Sequence, residues 1–342
     1  MAKTKHPRRP TNRMIDVARQ AGVSTASVSR AINNPHKVSA IMLARIESVL
    51  GELGYVPHGP ARALAGRRSF AIGAVVPTLG VGIFAAGVEA MQQRLETHGH
   101  ALLVANSRYD SELEARQVRT LLARGVDGIA LVGHQHRPEV LALIAQAAIP
   151  YVCLYTYRPG PHPCVGIDQA AATRRIVDFL VDLGHRRFGV ISNPTRDNDR
   201  IAGRVAGVLD ACRRHGLPTP MILEVPYTVG DGRIALRTIL ERAPDVTAIT
   251  CTTDLHAFGA LAEARARGLA IPGRLSITGF DDLDLAAEVE PPLTRICVPA
   301  REIGERAADL LVASVAGRPV PDHLELGTTL TVRSSTGPAP ML

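Results

Sequence analysis

The 342-residue sequence predicts an N-terminal all-α helix-turn-helix headpiece, a short connecting helix, and a larger α/β domain of two doubly wound lobes. Three observations predict it. Positive charge is concentrated in the first sixty-six residues; two short helical patterns there are separated by a glycine; and from residue 69 to 335 apolar runs alternate with amphipathic stretches.

Residues 1–66 hold ten Lys/Arg against Asp16, Glu47 and Glu52, a balance of +7 that equals the formal charge of the whole chain. The rest therefore sums to zero. A basic module on a neutral body is the electrostatic footprint of a nucleic-acid reader, because neutralising phosphates releases counterions. A basic tail can also be merely solubilising. Apolar residues make up 46% and charged residues 21%, as in ordinary globular domains, and no run approaches the length of a membrane span. The five cysteines are scattered without a C-x-x-C pair, which fits reduced, buried thiols in the cytoplasm.

In the headpiece, Ile15, Val17 and Ala18 give a first helix an apolar face, and Gly22 ends it. Ser24 is placed to cap a second helix running from Thr25 to about Asn33, with Val28 and Ile32 facing inward. Ser39 caps a third, whose stripe is Leu43, Ile46, Val49, Leu50 and Leu53 and which stops at Gly54. Pro60 suits the first turn of a further short helix that Gly66 ends. Two helices crossing at Ala18, Gly22 and Val28 form a helix-turn-helix pattern.

Asp16-Val-Ala-Arg-Gln-Ala-Gly-Val-Ser24, Val28-Ser-Arg-Ala-Ile-Asn-Asn34, Leu53-Gly-Tyr-Val-Pro57 and Ala61-Arg-Ala-Leu64 resemble the LacI/GalR repressor family, and the likeness runs from about Thr11 to Ser335. The resemblance implies that Thr25, Ala26 and Arg30 read bases. Arg30 suits guanine edges, Thr25 can donate or accept, and Ala26 can touch only a methyl. Ser24, Ser27, Ser29 and Asn33 become candidate phosphate or groove contacts. The segment Pro60–Ala65 becomes a hinge helix in which Ala61 and Leu64 meet DNA, Leu64 as a minor-groove wedge. On their residues alone, Ser24 could be only a cap and Leu64 only a core leucine.

Beyond residue 69, apolar runs near 71–76, 101–105, 128–132, 151–154, 188–191, 222–225, 248–251 and 275–278 read as buried parallel strands. Helix stops fall at Gly99, Gly125, Gly184, Gly216 and Gly268. This alternation predicts doubly wound sheets with ligand crevices at the strand C-terminal ends. The chain should cross between lobes near Thr294–Pro299 and again near Glu325–Thr328. Gly80-Val-Gly82-Ile-Phe-Ala85 matches G-x-G-x-x-A, but Asn106 and Ser107 stand where a dinucleotide site wants an acid. His134-Gln-His136 lacks neighbouring metal-completing residues, and no hydrolase or P-loop motif occurs. The domain reads as a sensor without cofactor or metal, and not as an enzyme.

The resemblance extends to periplasmic sugar-binding proteins and implies pocket positions one by one. Ile83 and Phe84 would wall the cleft, while His134, Asn198 and Arg200 would line it. Arg204 would fork onto ligand oxygens, and Asp281 would accept from ligand hydroxyls. Asp168 would lie near a lobe crossing. Tyr155 stands where such members commonly carry aspartate. Phe84 could instead be core, Asp168 could cap the helix near Ala170, and Arg200 could pair with Asp199 or Asp197. Arginines without that aspartate suggest an anionic ligand such as a sugar acid.

The expected organisation is a basic leader (1–10), a helix-turn-helix domain (11–58), a hinge (59–68), a two-lobed effector-binding and dimerisation domain (69–335) and a C-terminal tail (336–342). The expected partners are double-stranded operator DNA, a small-molecule effector and a second copy of the chain, in the nucleoid and not at a membrane.

Overall fold

Alternation of short apolar runs with amphipathic helices produces the two sheets of this protein, seen in a computed structural model that describes residues 13–33, 37–55, 68–80, 82–281 and 283–341. The chain divides into two units, Met1–Ser69 and Phe70–Leu342. The expected leader and most of the expected hinge segment, with Ala61 and Leu64, lie outside the described residues.

The described part of the first unit contains α1 (Met14–Ala21), α2 (Thr25–Asn33) and α3 (Ala40–Leu53). Gly22 closes α1 at φ +67°, a left-handed conformation that glycine adopts without strain. Val17, Ala18, Ala21, Val28, Ala31, Ile46 and Val49 form the core of this unit. Ile15 departs from expectation: the apolar face rotates past it, and it is 54% exposed. Ser39 occupies the N-cap position of α3 without a side-chain cap bond.

The second unit begins with lobe A: β1 (Ala71–Val76), α4 (Gly82–Thr97), β2 (Ala101–Asn106), α5 (Ser111–Ala123), β3 (Gly128–Val132), α6 (Pro138–Ala147), β4 (Tyr151–Leu154) and β5 (Cys164–Gly166). Lobe B follows as α7 (Gln169–Asp182), β6 (Phe188–Ser192), α8 (Asp199–Arg214), β7 (Met221–Glu224), α9 (Val229–Arg242), β8 (Ala248–Cys251), α10 (Asp254–Ala266), β9 (Ser276–Asp281), α11 (Leu285–Glu288) and β10 (Thr294–Cys297). The chain then returns to lobe A for α12 (Ala300–Val315) and β11 (His323–Glu325), and ends in lobe B with β12 (Thr329–Thr331).

The sheet orders are β11-β5-β4-β3-β1-β2 and β12-β10-β9-β8-β6-β7. Neighbours are parallel except for β10 and β12. In both sheets the winding reverses beside the first strand, between β1 and β3 and between β6 and β8. Those switch points open crevices at strand C-terminal ends, where ligands bind in such sheets.

The eight anticipated strands form. β5, β10, β11 and β12 were not anticipated, and Thr294–Cys297 is a strand instead of a crossing. The crossings are narrower: 167–168, 298–299 and 326–328. Two of them lie side by side, since Leu326 N–H donates to Gly166 O at 2.8 Å. The residues after Ser335 are docked on lobe B, with Gly337 O accepting from His185 Nε2 at 3.1 Å and Ala339 N–H donating to Leu183 O at 2.8 Å. Four cysteines are buried and Cys297 is half-buried.

In lobe A, α4 and α12 pack with backbones almost touching, because a β-carbon on Gly304 would overlap the Gly87 carbonyl. Arg94 Nε donates to Asp309 Oδ1 at 2.7 Å across the same helix pair.

Candidate effector site and candidate nucleic-acid interface

A small cavity lies between the lobes, lined by Ile83, Phe84, Tyr109 and Tyr155 from lobe A and by Asn193, Asn198, Arg200, Ile201, Arg204, Tyr227, Thr253 and Asp281 from lobe B. Its volume of about 30 Å³ is that of a single water molecule in the liquid.

At its centre, Arg204 projects from the second turn of α8 and Asp281 from the end of β9. Arg204 Nη1 lies 3.0 Å from Asp281 Oδ1 and 2.5 Å from Thr252 O. Its Nε donates to Gln169 Oε1 at 2.8 Å, and its guanidinium carbon sits 3.8 Å over the Phe280 ring. Tyr227 Oη donates to the second Asp281 oxygen at 3.3 Å. Burial raises the Asp281 carboxyl above its ordinary range even though Arg204 pulls it down. The same desolvation raises the Tyr227 hydroxyl. Gln169 joins the lobes: Nε2 donates to Tyr155 O at 2.6 Å while Oε1 receives Arg204.

Tyr155 is buried; its hydroxyl donates to Ile83 O at 3.0 Å and its ring meets Phe84 edge-on at 5.2 Å. It therefore anchors the first turn of α4 with its hydroxyl, leaving only its ring as cavity wall. Backbone strain gathers around this site. Arg108, Tyr109, Tyr155, Asp197 and Asp281 have φ of +54°, +59°, +65°, +57° and +123°, and all but Arg108 line the cavity or the adjoining cleft mouth. Such outliers persist where surrounding structure over-determines them, typically at ligand sites.

Two expected pocket residues lie elsewhere. His134 and Asp168 line a separate, wider groove with Tyr157, Arg158 and Asp199. Asp168 Oδ1 accepts Ala171 N–H at 2.8 Å, the capping alternative. Arg200 reaches the cavity edge but donates to Val132 O at 3.2 Å and pairs with Asp199 at 3.3 Å, also the alternative. Both ring nitrogens of His136 are engaged, Nδ1 with Glu114 and Nε2 with Gly133 O at 3.0 Å.

In the headpiece, α2 turns Val28 and Ala31 inward and leaves Ser24, Thr25, Ala26 and Arg30 exposed, with Ser27 and Ser29 half-buried. Ser24 Oγ accepts Ser27 N–H at 3.1 Å, so it does cap the helix. Asn33 ends α2, and its side chain lies outside the described residues.

Residues 13–58 match the profile of bacterial regulatory proteins of the lacI family, and residues 177–336 that of the periplasmic binding protein-like domain. The chain is 32% identical over 331 residues to the HTH-type transcriptional repressor CytR of Escherichia coli K12, covering 96% of this chain and 97% of that one. The chain belongs to the LacI family. It is thus a transcriptional regulator and not an enzyme. Among solved LacI-family structures, the lac repressor dimer bound to operator and the anti-inducer ONPF aligns with a TM-score of 0.86 at 27% identity, covering 95% of this chain and 99% of that one. The CelR–cellobiose complex aligns with a TM-score of 0.70 at 29% identity and the same coverage.

Sequence reasoning on this LacI-family chain missed Tyr109, Asn193, Ile201 and Tyr227 in the cavity wall, whereas Thr253 was visible through the resemblance as half of a Thr253-Asp254 pair standing where the family often has Asn-Asp. All but Ile201 of the missed residues had a usable signal, because they follow the C-terminal ends of β2, β6 and β7, where the alternation rule puts ligand crevices.

Proposed function

We propose that the protein controls transcription as a homodimer that reads a pseudo-palindromic operator through α2 and answers to a neutral, polyhydroxylated effector held beside the Arg204–Asp281 pair. The observation that carries this reading is the buried Arg204–Asp281 pair at a lobe interface. It offers a forked donor beside an acceptor, which suits the alternating hydroxyls of a sugar. Charge in the cleft is matched, since Arg204 faces Asp281 and Arg200 faces Asp199. A sugar acid would have to break one of these pairs, so the neutral ligand is favoured over the anionic one. The CelR complex with cellobiose supports a sugar-like effector by analogy.

For the DNA arm, Arg30 and Thr25 would meet base edges, Ala26 a methyl, and Ser24, Ser27, Ser29 and Asn33 the backbone. Ala61 and Leu64 would belong to a hinge helix too short to be stable alone, folding when the duplex and a second copy support it. A two-fold partner is favoured by the edge strand β2, which leaves Leu103 and Val104 exposed. Effector binding would shift the lobe angle and, by linkage, operator affinity. The protein would act at DNA in the cytoplasm; no helix among the described residues is long and apolar enough to cross a membrane.

A thermal-shift screen of neutral sugars against their acids, beside duplex selection from a random library, tests both arms. The expected outcome is a melting shift with neutral sugars and an enriched inverted repeat. Stabilisation by acids alone would overturn the ligand class, and failure to enrich a half-site pair would overturn the operator reading.

A further inference from the structure

Val132-Gly133-His134 leaves lobe A at the end of β3 and meets the start of α8 in lobe B. Asp199 Oδ2 accepts the His134 backbone N–H at 2.9 Å, Arg200 Nη1 donates to the Val132 carbonyl at 3.2 Å, and the two side chains pair at 3.3 Å. One carboxylate and one guanidinium thus straddle Gly133 and grip a backbone N–H on one side and a backbone C=O on the other. Gly133 has φ +91°, and a β-carbon there would overlap both Arg200 Nη1 and Asp199 Oδ1. Glycine suits the left-handed conformation, and any side chain here would push aside the two side-chain ends that make the grip. Neither Gly133 nor Asp199 lines the Arg204–Asp281 cavity.

We propose that Gly133 and Asp199 are positioning residues of an inter-lobe clasp, with Arg200 as its second arm, that holds the two walls of the ligand-sensing cleft together. The proposal rests on the reading that lobe closure is what the effector modulates. The grip uses main-chain atoms of lobe A, so it is indifferent to which ligand the cavity takes. It biases the open–closed equilibrium directly, and an effector acts against or with that bias. Charge-assisted bonds from a buried Arg200 and a half-buried Asp199 are strong enough for this, yet few enough to be broken by a small rotation.

Three variants of the full chain separate the clasp from simpler causes. Asp199→Ala removes one arm without touching the backbone. Gly133→Ala blocks the seat. Gly125→Ala is the control: its φ is +74° with nothing near the missing β-carbon, so it carries comparable backbone strain and no clash. Amide hydrogen exchange at His134 reads the grip. Spin-label distances between Arg116→Cys in lobe A and Arg265→Cys in lobe B read the opening. In Asp199→Ala and Gly133→Ala the His134 amide is expected to exchange roughly tenfold faster or more, as for loss of a bond to a charged group, with longer label distances. Gly125→Ala is expected to match wild type in both. Unchanged exchange and distance in Asp199→Ala overturn the clasp, and so does opening of equal size in Gly125→Ala. Duplex binding by the same variants is a separate readout: opened lobes with unaltered operator affinity would count against the linkage reading while the clasp stands.

Discussion

Arg204 and Asp281 form an ion pair at 3.0 Å in which both side chains are almost wholly buried. Removing one member leaves the other as an uncompensated charge in a dry site, which destabilises by about 3–5 kcal/mol, whereas replacing both with apolar groups of similar volume is close to neutral. Arg204→Ala is therefore expected to lower the urea midpoint far more than the double change Arg204→Met with Asp281→Leu. Effector response should be lost in both. Equal midpoints for single and double variants would mean that the pair is solvated.

Tyr155→Phe keeps the ring against Phe84 and removes only the bond to Ile83 O. The expected loss is about 0.5–1.5 kcal/mol of stability, the ordinary net worth of such a bond. If the hydroxyl instead serves the ligand, stability will be unchanged and effector affinity alone will fall. Denaturation and calorimetry on the one variant distinguish these.

Asp254 gives a pH dependence with a definite sign. It is fully buried at the start of α10, with Arg295 Nη1 at 3.2 Å and Leu283 N–H at 3.0 Å on one oxygen. Burial, helped by the charge of Asp281, pushes its carboxyl from 3.8 up to about 7. The folded state thus holds this proton across a window in which the unfolded chain has released it. Its stabilising contribution is full below about pH 4 and is lost as pH rises through 7. The stability difference between wild type and Asp254→Asn should accordingly shift against wild type between pH 5 and about 7.5, read from urea melts. A flat difference would contradict the raised carboxyl.

Arg30 is exposed on α2 and stands outside the apolar core of the headpiece. Arg30→Ala should leave the melting temperature unchanged while weakening the best operator by about 1–3 kcal/mol and relaxing one base position in each half-site. Uniform weakening across all sequences would reassign it to a phosphate.

The strands legible in the sequence were those with an unbroken apolar run, such as Ala71–Val76 and Gly128–Val132, buried along almost their whole length. β10 hid because Arg295 interrupts Thr294–Cys297, and its charge is recognisable as structural only once Asp254 lies beside it. β11 and β12 are three-residue strands completing sheets far from their neighbours in sequence, and no local pattern carries that pairing. In the site, Arg204 and Asp281 were legible through resemblance to the family. That they would bond each other directly was not, since this depends on two elements from distant parts of the chain meeting. Tyr155 was legible as a departure from the family, but its partner, the Ile83 carbonyl, has no side-chain signature at all.

The return of the chain to lobe A carries a consequence for synthesis. Arg94 on α4 waits for Asp309 on α12, 215 residues later. At about 5–20 residues per second a ribosome needs roughly 10–40 s to cover that distance. Throughout that interval the face of α4 around Gly87 and Met91 has no helix to cover it, and lobe B emerges complete but for β12 and the segment that follows it. The nascent chain is thus an unfinished first lobe tethered to a nearly finished second one, and its exposure to aggregation is set by translation speed as much as by final stability.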